Sequence, residues 1–216
     1  MDRKAEAILS RAAQYARSVH EGDSSGHDWP HIDRVVRMTR RLAASEGADP
    51  FVCELAALLH DVADEKLNAS KESGMDLVKN WLNGERIDTE ARDHVLDIIA
   101  TLSFGTGTGP MRTREGSVVR DADRLDAIGA IGIARTFAYA GWKGHPLHEP
   151  QLPPRETMTK EQYRNGRSTA INHFQEKLLR LRDLLETESA RTIAAERHRF
   201  MEGYLEQFHK EWNGEC

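Results

Sequence analysis

The segment Phe51–Leu59, FVCELAALL, constrains the fold more than any other, because eight of its nine residues are apolar or cysteine. A helix that is apolar around its whole circumference has to lie at the centre of a helical packing, with other helices covering it. His60-Asp61 follows at once, an imidazole beside a carboxylate at the end of what should be the most buried helix. An ionised carboxylate there is costly to desolvate unless something compensates. A divalent cation is one such compensation. A helix-end histidine with a capping aspartate is the plainer alternative, and the dipeptide alone leaves it open.

Helical periodicity dominates the rest of the chain, and strand-like alternation is scarce. The first helix is predicted from about Arg3 to His20, with Ile8, Ala12 and Tyr15 on one face, and the second from near Pro30. Asp49-Pro50 is a start signal for the third, since Asp caps and Pro suits the first helical position. Further helices are predicted near Met75–Leu82, Asp88–Leu102, Val118–Tyr139, Tyr163–Leu185 and Ser189–Trp212, with Thr159 and Gln162 as a capping box. Two long loops, Ser103–Ser117 and Gly141–Met158, lie between helices that look made to share one core. Loops of that length in a compact domain are often functional. The reading is all-α, a single globular domain over residues 1–216. Its metal-binding core is placed at about 26–130, and the C-terminal helices at 160–213 complete the pocket and the core.

Several classes are disfavoured. The net charge of −5 gives no general pull toward nucleic acid or anionic membrane, and no helix carries a clean basic stripe. No stretch approaches 18 consecutive apolar residues, and the N-terminal segment lacks the apolar core of a signal peptide. Cys53 and Cys216 form no CxxC pair, so neither a disulfide framework nor a zinc ribbon is expected, and the expected compartment is the reducing cytoplasm. The many apolar helix faces allow a homodimer, but nothing specifies its interface.

His31 lies near the start of the second helix. The short connection to the third should pack the two antiparallel, bringing His31 toward His60 and Asp61. Farther on, VVRDADRLDAIGAIGIA carries Asp121, Asp123 and Asp126 at what reads as the opening of an apolar helix. Acidic residues favour helix N-termini for dipole reasons alone; a carboxylate from this helix would equally supply a further ligand. Two imidazoles and two carboxylates suit manganese, iron, cobalt, nickel or zinc rather than an ion that wants an oxygen cage.

The order H…HD…D, carried by His31 in GHDWPHIDRV, His60-Asp61 in LAALLHDVADEK and Asp123 in DADRL, resembles the HD-domain superfamily of metal-dependent phosphohydrolases. Most of the chain is similar to a small bacterial branch of stand-alone HD hydrolases. The resemblance implies the HD-domain helical fold, with His31, His60, Asp61 and Asp123 as ligands of one divalent ion. Manganese comes first for that ion, with nickel, cobalt, iron, magnesium or zinc as alternatives. It also implies Asp64 as general acid or base, with Glu65 as the alternative; on a continuing helix Asp64 would stay on the side of Asp61. Phosphate requires cations, and the candidates are Arg34, Lys66, Arg112, Arg114 and Lys177; Ser103 and Phe104 read as the end of a helix, with contact to a base or ribose as the alternative. His27-Asp28 receives no metal role, Asp28 reading as an N-cap. His94 has no clear companion for a second metal, His145 and His148 are placed to act as a lid, and His173 reads as a core histidine. The partner is a phosphorylated small molecule, in the first instance a nucleotide. The reaction is pyrophosphate release from a nucleoside or deoxynucleoside triphosphate, or removal of a monophosphate. The alternatives are a non-catalytic HD module that binds a nucleotide and signals, and a phosphomonoesterase acting on a non-nucleotide metabolite.

Overall fold

A computed structural model of the chain describes residues 2–21, 28–65, 67–102, 109–157, 159 and 166–215. Every regular element among them is helical. The fold divides into two compact units, residues 1–123 and 124–216.

In the first unit, α1 (Arg3–Val19) is capped by the Asp2 side chain, and α2 (Trp29–Glu46) by Asp28, as the sequence suggested. α3 (Pro50–Leu59) starts at Asp49, whose carboxylate accepts the N–H groups of Phe51 and Val52. It is the central helix: Val52 through Leu59 are all buried, and α1, α2 and α5 pack on it. Burial of each of its larger apolar side chains contributes about 1.5–3 kcal/mol. The one charged residue in the run, Glu54, is only 3% exposed and takes a two-pronged ion pair from Arg40 of α2. α4 (Lys71–Gly84) opens with a Ser70–Ser73 capping box, and α5 (Thr89–Leu102) follows. α6 (Arg114–Asp126) crosses the division between the units.

α3 does not run on through His60-Asp61. The His60 ring donates from Nδ1 to the Ala57 carbonyl at 2.7 Å, taking the acceptor that a continuing α-helix would offer to the Asp61 N–H. The chain tightens into a 3₁₀ turn, His60–Ala63, and leaves it extended at Asp64 (φ −67°, ψ 136°). The predicted continuing helix beyond Asp61 is therefore corrected to a turn.

The predicted helix Val118–Tyr139 is two helices. α6 ends at Asp126, and α7 (Gly129–Lys143) begins after a break at Ala127-Ile128. Gly129 sits at φ +76°, and a Cβ there would meet the Arg197 side chain at 2.9 Å. The Arg197 guanidinium in turn donates to the Leu125 carbonyl, covering the exposed end of α6. Gly129→Ala should therefore destabilise the protein by about 2–3 kcal/mol, the sum of a left-handed backbone penalty and a displaced arginine. A urea midpoint within error of wild type would contradict this account of the break.

In the second unit the predicted helix Tyr163–Leu185 is also corrected. Residues 166–169 are non-helical, and α8 (Ala170–Glu176) is capped by Thr169. The segment that the predicted capping box of Thr159 and Gln162 would open, residues 160–165, lies outside the described residues. A 3₁₀ stretch, Leu178–Leu184, leads to α9 (Glu188–Trp212). Phe137, Phe174, Tyr204, Phe208 and Trp212 pack ring on ring through this unit. His148 is enclosed by Phe208, His209 and Trp212, which ties its loop to the end of α9.

Candidate metal centre

His31, His60 and Asp61 come together as the sequence predicted, because α2 and α3 are antiparallel across the three-residue connection 47–49. His31 is fixed in the first turn of α2, its N–H bonded to the capping Asp28 carboxylate at 3.0 Å. Its ring Nε2 lies 3.3 Å from Asp61 Oδ2, and His60 Nε2 lies 3.4 Å from Asp61 Oδ1. All three residues are buried, and one ligand atom from each fits within 4.8 Å of the others.

Asp123 reaches the same place from α6, its Oδ1 3.5 Å from His31 Nε2 and 4.0 Å from His60 Nε2. The three aspartates of α6 occupy its C-terminal half rather than the N-terminus, so the dipole opposes their charge instead of explaining it. Asp121 is fully buried, Asp126 pairs with Arg135, and Asp123 is more than a third exposed beside the two histidines.

The donor set fits a divalent cation. Because His60 Nδ1 faces a carbonyl, which only accepts, it must carry a proton, so in the neutral ring it is Nε2 that offers the lone pair. That Nε2 is buried and has no hydrogen-bond partner among the described residues. A buried lone pair directed at a carboxylate is repulsive, and an ion held by both turns the repulsion into attraction. A backbone carbonyl fixing the far nitrogen is also the usual support of a metal-binding imidazole. His31, His60 and Asp61 thus form a cluster that could hold a divalent metal ion.

The remaining predicted residues distribute unevenly. Asp64 is half-buried at the end of the 3₁₀ turn, its N–H bonded to the Asp61 carbonyl at 3.0 Å, while Glu65 is exposed. Arg34 is half-buried one helical turn along α2 from His31. Lys66, His27, Ser103 and Phe104 lie outside the described residues. Arg114 is not brought to the cluster. It belongs to the first turn of α6 rather than to a loop, and its guanidinium donates to the Gly47 carbonyl at 3.3 Å. Gly47 is sixteen residues along α2 from His31, about 24 Å at 1.5 Å per residue. Arg112 pairs with Asp97, and His94 is bound to Thr113 at 2.9 Å. Lys177 follows α8 in the second unit, beside His173, whose pKa burial pushes down to about 4. Burial, with the nearby His209 charge, also lowers the pKa of His148.

Sequence reasoning missed Asn68. Its amide donates to the carbonyls of Val62, at 2.8 Å, and Asp64, at 2.9 Å, across the turn that carries the site. An asparagine in a loop is an ordinary turn residue, so no sequence signal marked it.

The HD domain family model matches residues 29–128, which include all four histidine and aspartate positions of the motif. A solved structure of an HD-superfamily hydrolase from Bacillus thuringiensis is 46% identical, with a TM-score of 0.79, covering 97% of this chain and 98% of that one. The chain belongs to the HD-domain superfamily. Another solved relative, from Lactobacillus plantarum, is 42% identical with a TM-score of 0.84, covering 97% of this chain and 98% of that one. YpgQ of Bacillus subtilis, solved in complex with ADP, is 40% identical with a TM-score of 0.75, covering 94% and 97%. The fold is accordingly the all-α HD-domain fold, and the chain is similar to a hydrolase of that superfamily. No helix among the described residues is long and apolar enough to cross a membrane.

Proposed function

We propose that this HD-domain protein is a metal-dependent phosphohydrolase acting on nucleotides, releasing pyrophosphate from nucleoside or deoxynucleoside triphosphates. The observation that carries the reading is the buried cluster of His31, His60 and Asp61, with the His60 Nε2 lone pair facing the Asp61 carboxylate. Asp123 completes the ligand set from α6. A divalent ion held there, manganese in the first instance, supplies a water of lowered pKa and offsets charge on phosphoryl oxygens. Asp64 is the residue assigned to take the proton of the attacking water, with Glu65 as its alternative. Arg34, Lys66 and Lys177 are assigned to the phosphate oxygens; Arg114, held against Gly47, is withdrawn from that set. The similarity to YpgQ, whose structure was solved with ADP, supports a nucleotide as substrate.

Metal-stripped protein should release pyrophosphate from nucleoside triphosphates when manganese is restored. Release of orthophosphate instead would move the assignment to a phosphomonoesterase. Absence of both products from a full nucleotide panel, with metal bound, would sink the nucleotide assignment in favour of another phosphoester or a signalling role.

A further inference from the structure

The turn His60–Ala63 holds the residues with the most exacting positional demands in the chain, yet a four-residue 3₁₀ turn has little stiffness of its own. Two features outside it supply that stiffness. The first is the Asn68 side chain, which reaches back over the turn and donates to Val62 O at 2.8 Å and Asp64 O at 2.9 Å. Asp64 O also accepts the Leu67 N–H at 3.1 Å, and the Asp64 N–H bonds to Asp61 O at 3.0 Å. The backbone on the C-terminal side of Asp61 is therefore tied at Asp61, Val62 and Asp64, and one amide group makes two of the ties.

The second feature is Gly74 of α4, which lies directly on the turn. A Cβ at this position would stand 2.8 Å from the Ala63 Cα, 2.8 Å from the Ala63 carbonyl oxygen and 2.8 Å from Asn68 Nδ2. Only a glycine lets α4 press on the turn and on the amide together. α4 is itself anchored at its first residue, where Lys71 Nζ donates to the Ala100 carbonyl of α5 at 2.9 Å. A backbone displaced by even a few tenths of an ångström at Ala63 would swing the Asp61 carboxylate relative to the two imidazoles, which come from a different helix and from the start of the turn.

We propose that Asn68 and Gly74 form a strap that sets the Asp61 carboxylate and the Asp64 backbone, and so act as positioning residues for the metal centre. This rests on the reading of His31, His60 and Asp61 as a divalent-metal site. Groups that orient metal ligands from outside are commonly worth ten- to a hundredfold in affinity. Asn68→Ala removes both donors, and Gly74→Ala drives a methyl group into the turn.

Isothermal titration of manganese into metal-stripped protein tests the strap without any assay of turnover. Each variant is expected to bind manganese about tenfold or more weakly than wild type. Thr169→Ala, which removes the cap of α8, should lower the melting temperature and leave manganese affinity unchanged. If Asn68→Ala and Gly74→Ala both bind within twofold of wild type, the strap is overturned while the metal site stands. If Asn68→Ala does not fold, Gly74→Ala alone decides in the same way. Wild-type protein that takes up none of manganese, nickel, cobalt, iron, magnesium and zinc overturns the site and the strap together, whatever the outcome of the hydrolysis assay.

Discussion

Asp61→Ala is expected to abolish the response of the protein to divalent metal and to lower turnover about a thousandfold or more, equivalent to roughly 4 kcal/mol. The carboxylate lies 3.3 Å from the His31 imidazole and 3.4 Å from that of His60, and it is the only one of the cluster's side chains to approach another two that closely. Without it, His31, His60 and a partly exposed Asp123 remain. Manganese at a hundred times its dissociation constant should stabilise wild type by about 2.7 kcal/mol and the variant not at all. Differential scanning fluorimetry with and without manganese reads both effects. A variant that still gains stability from the metal would show that Asp61 is not a ligand.

The part of this site that could be read in the sequence is the part that rests on local rules. The apolar girth of Phe51–Leu59 required a central helix, and Asp49-Pro50 marked its start. The short connection before it required α2 to lie antiparallel, which put His31 beside His60. Asp123 was different. Three aspartates in six residues looked alike by composition, and only the family resemblance singled out one of them. The structure separates them by direction: Asp121 inward, Asp126 onto Arg135, Asp123 to the histidines.

What could not be read depends on backbone conformation and long-range hydrogen bonds. Hydrophobic periodicity runs through LDAIGAIGIA without a fault, because the period reports which face is apolar and not the sign of φ at Gly129. The 3₁₀ turn at His60 follows from a ring nitrogen capturing the Ala57 carbonyl, a bond no propensity encodes. Arg114 looked like a loop cation, but its role is fixed by a carbonyl 67 residues away. Asn68 and Gly74 were invisible for the same reason, since their partners are backbone atoms whose positions are settled only when the turn and α4 meet.

Arg155→Ala should cost about 2–3 kcal/mol at neutral pH, and that cost should shrink on acidification. Glu176 of α8 has a side chain only 1% exposed, yet it is held as a carboxylate by four donors. These are the Arg155 backbone N–H at 3.1 Å, its Nε at 2.8 Å, its Nη2 at 2.6 Å and the Ser168 hydroxyl at 3.0 Å. Burial by itself pushes the Glu176 pKa up, but the Arg155 and Ser168 bonds outweigh it and hold the group below the usual carboxylate range. A carboxyl with a depressed folded pKa contributes stability that is fully present above its unfolded pKa, about 4.3, and is lost as pH falls through the lower folded value. Without the guanidinium, two donors remain to hold the carboxylate against the cost of burying it, so the folded pKa rises and the stability that this group contributes above it shrinks. Wild type then loses stability on going below about pH 4, whereas the variant loses less from this group. The gap between the two in chemical denaturation should be widest above pH 5 and narrow toward pH 3, other carboxylates cancelling in the difference. A gap that stays constant across that range would mean that Arg155 stabilises by packing its alkyl stem, and that the charge on Glu176 is not what it holds.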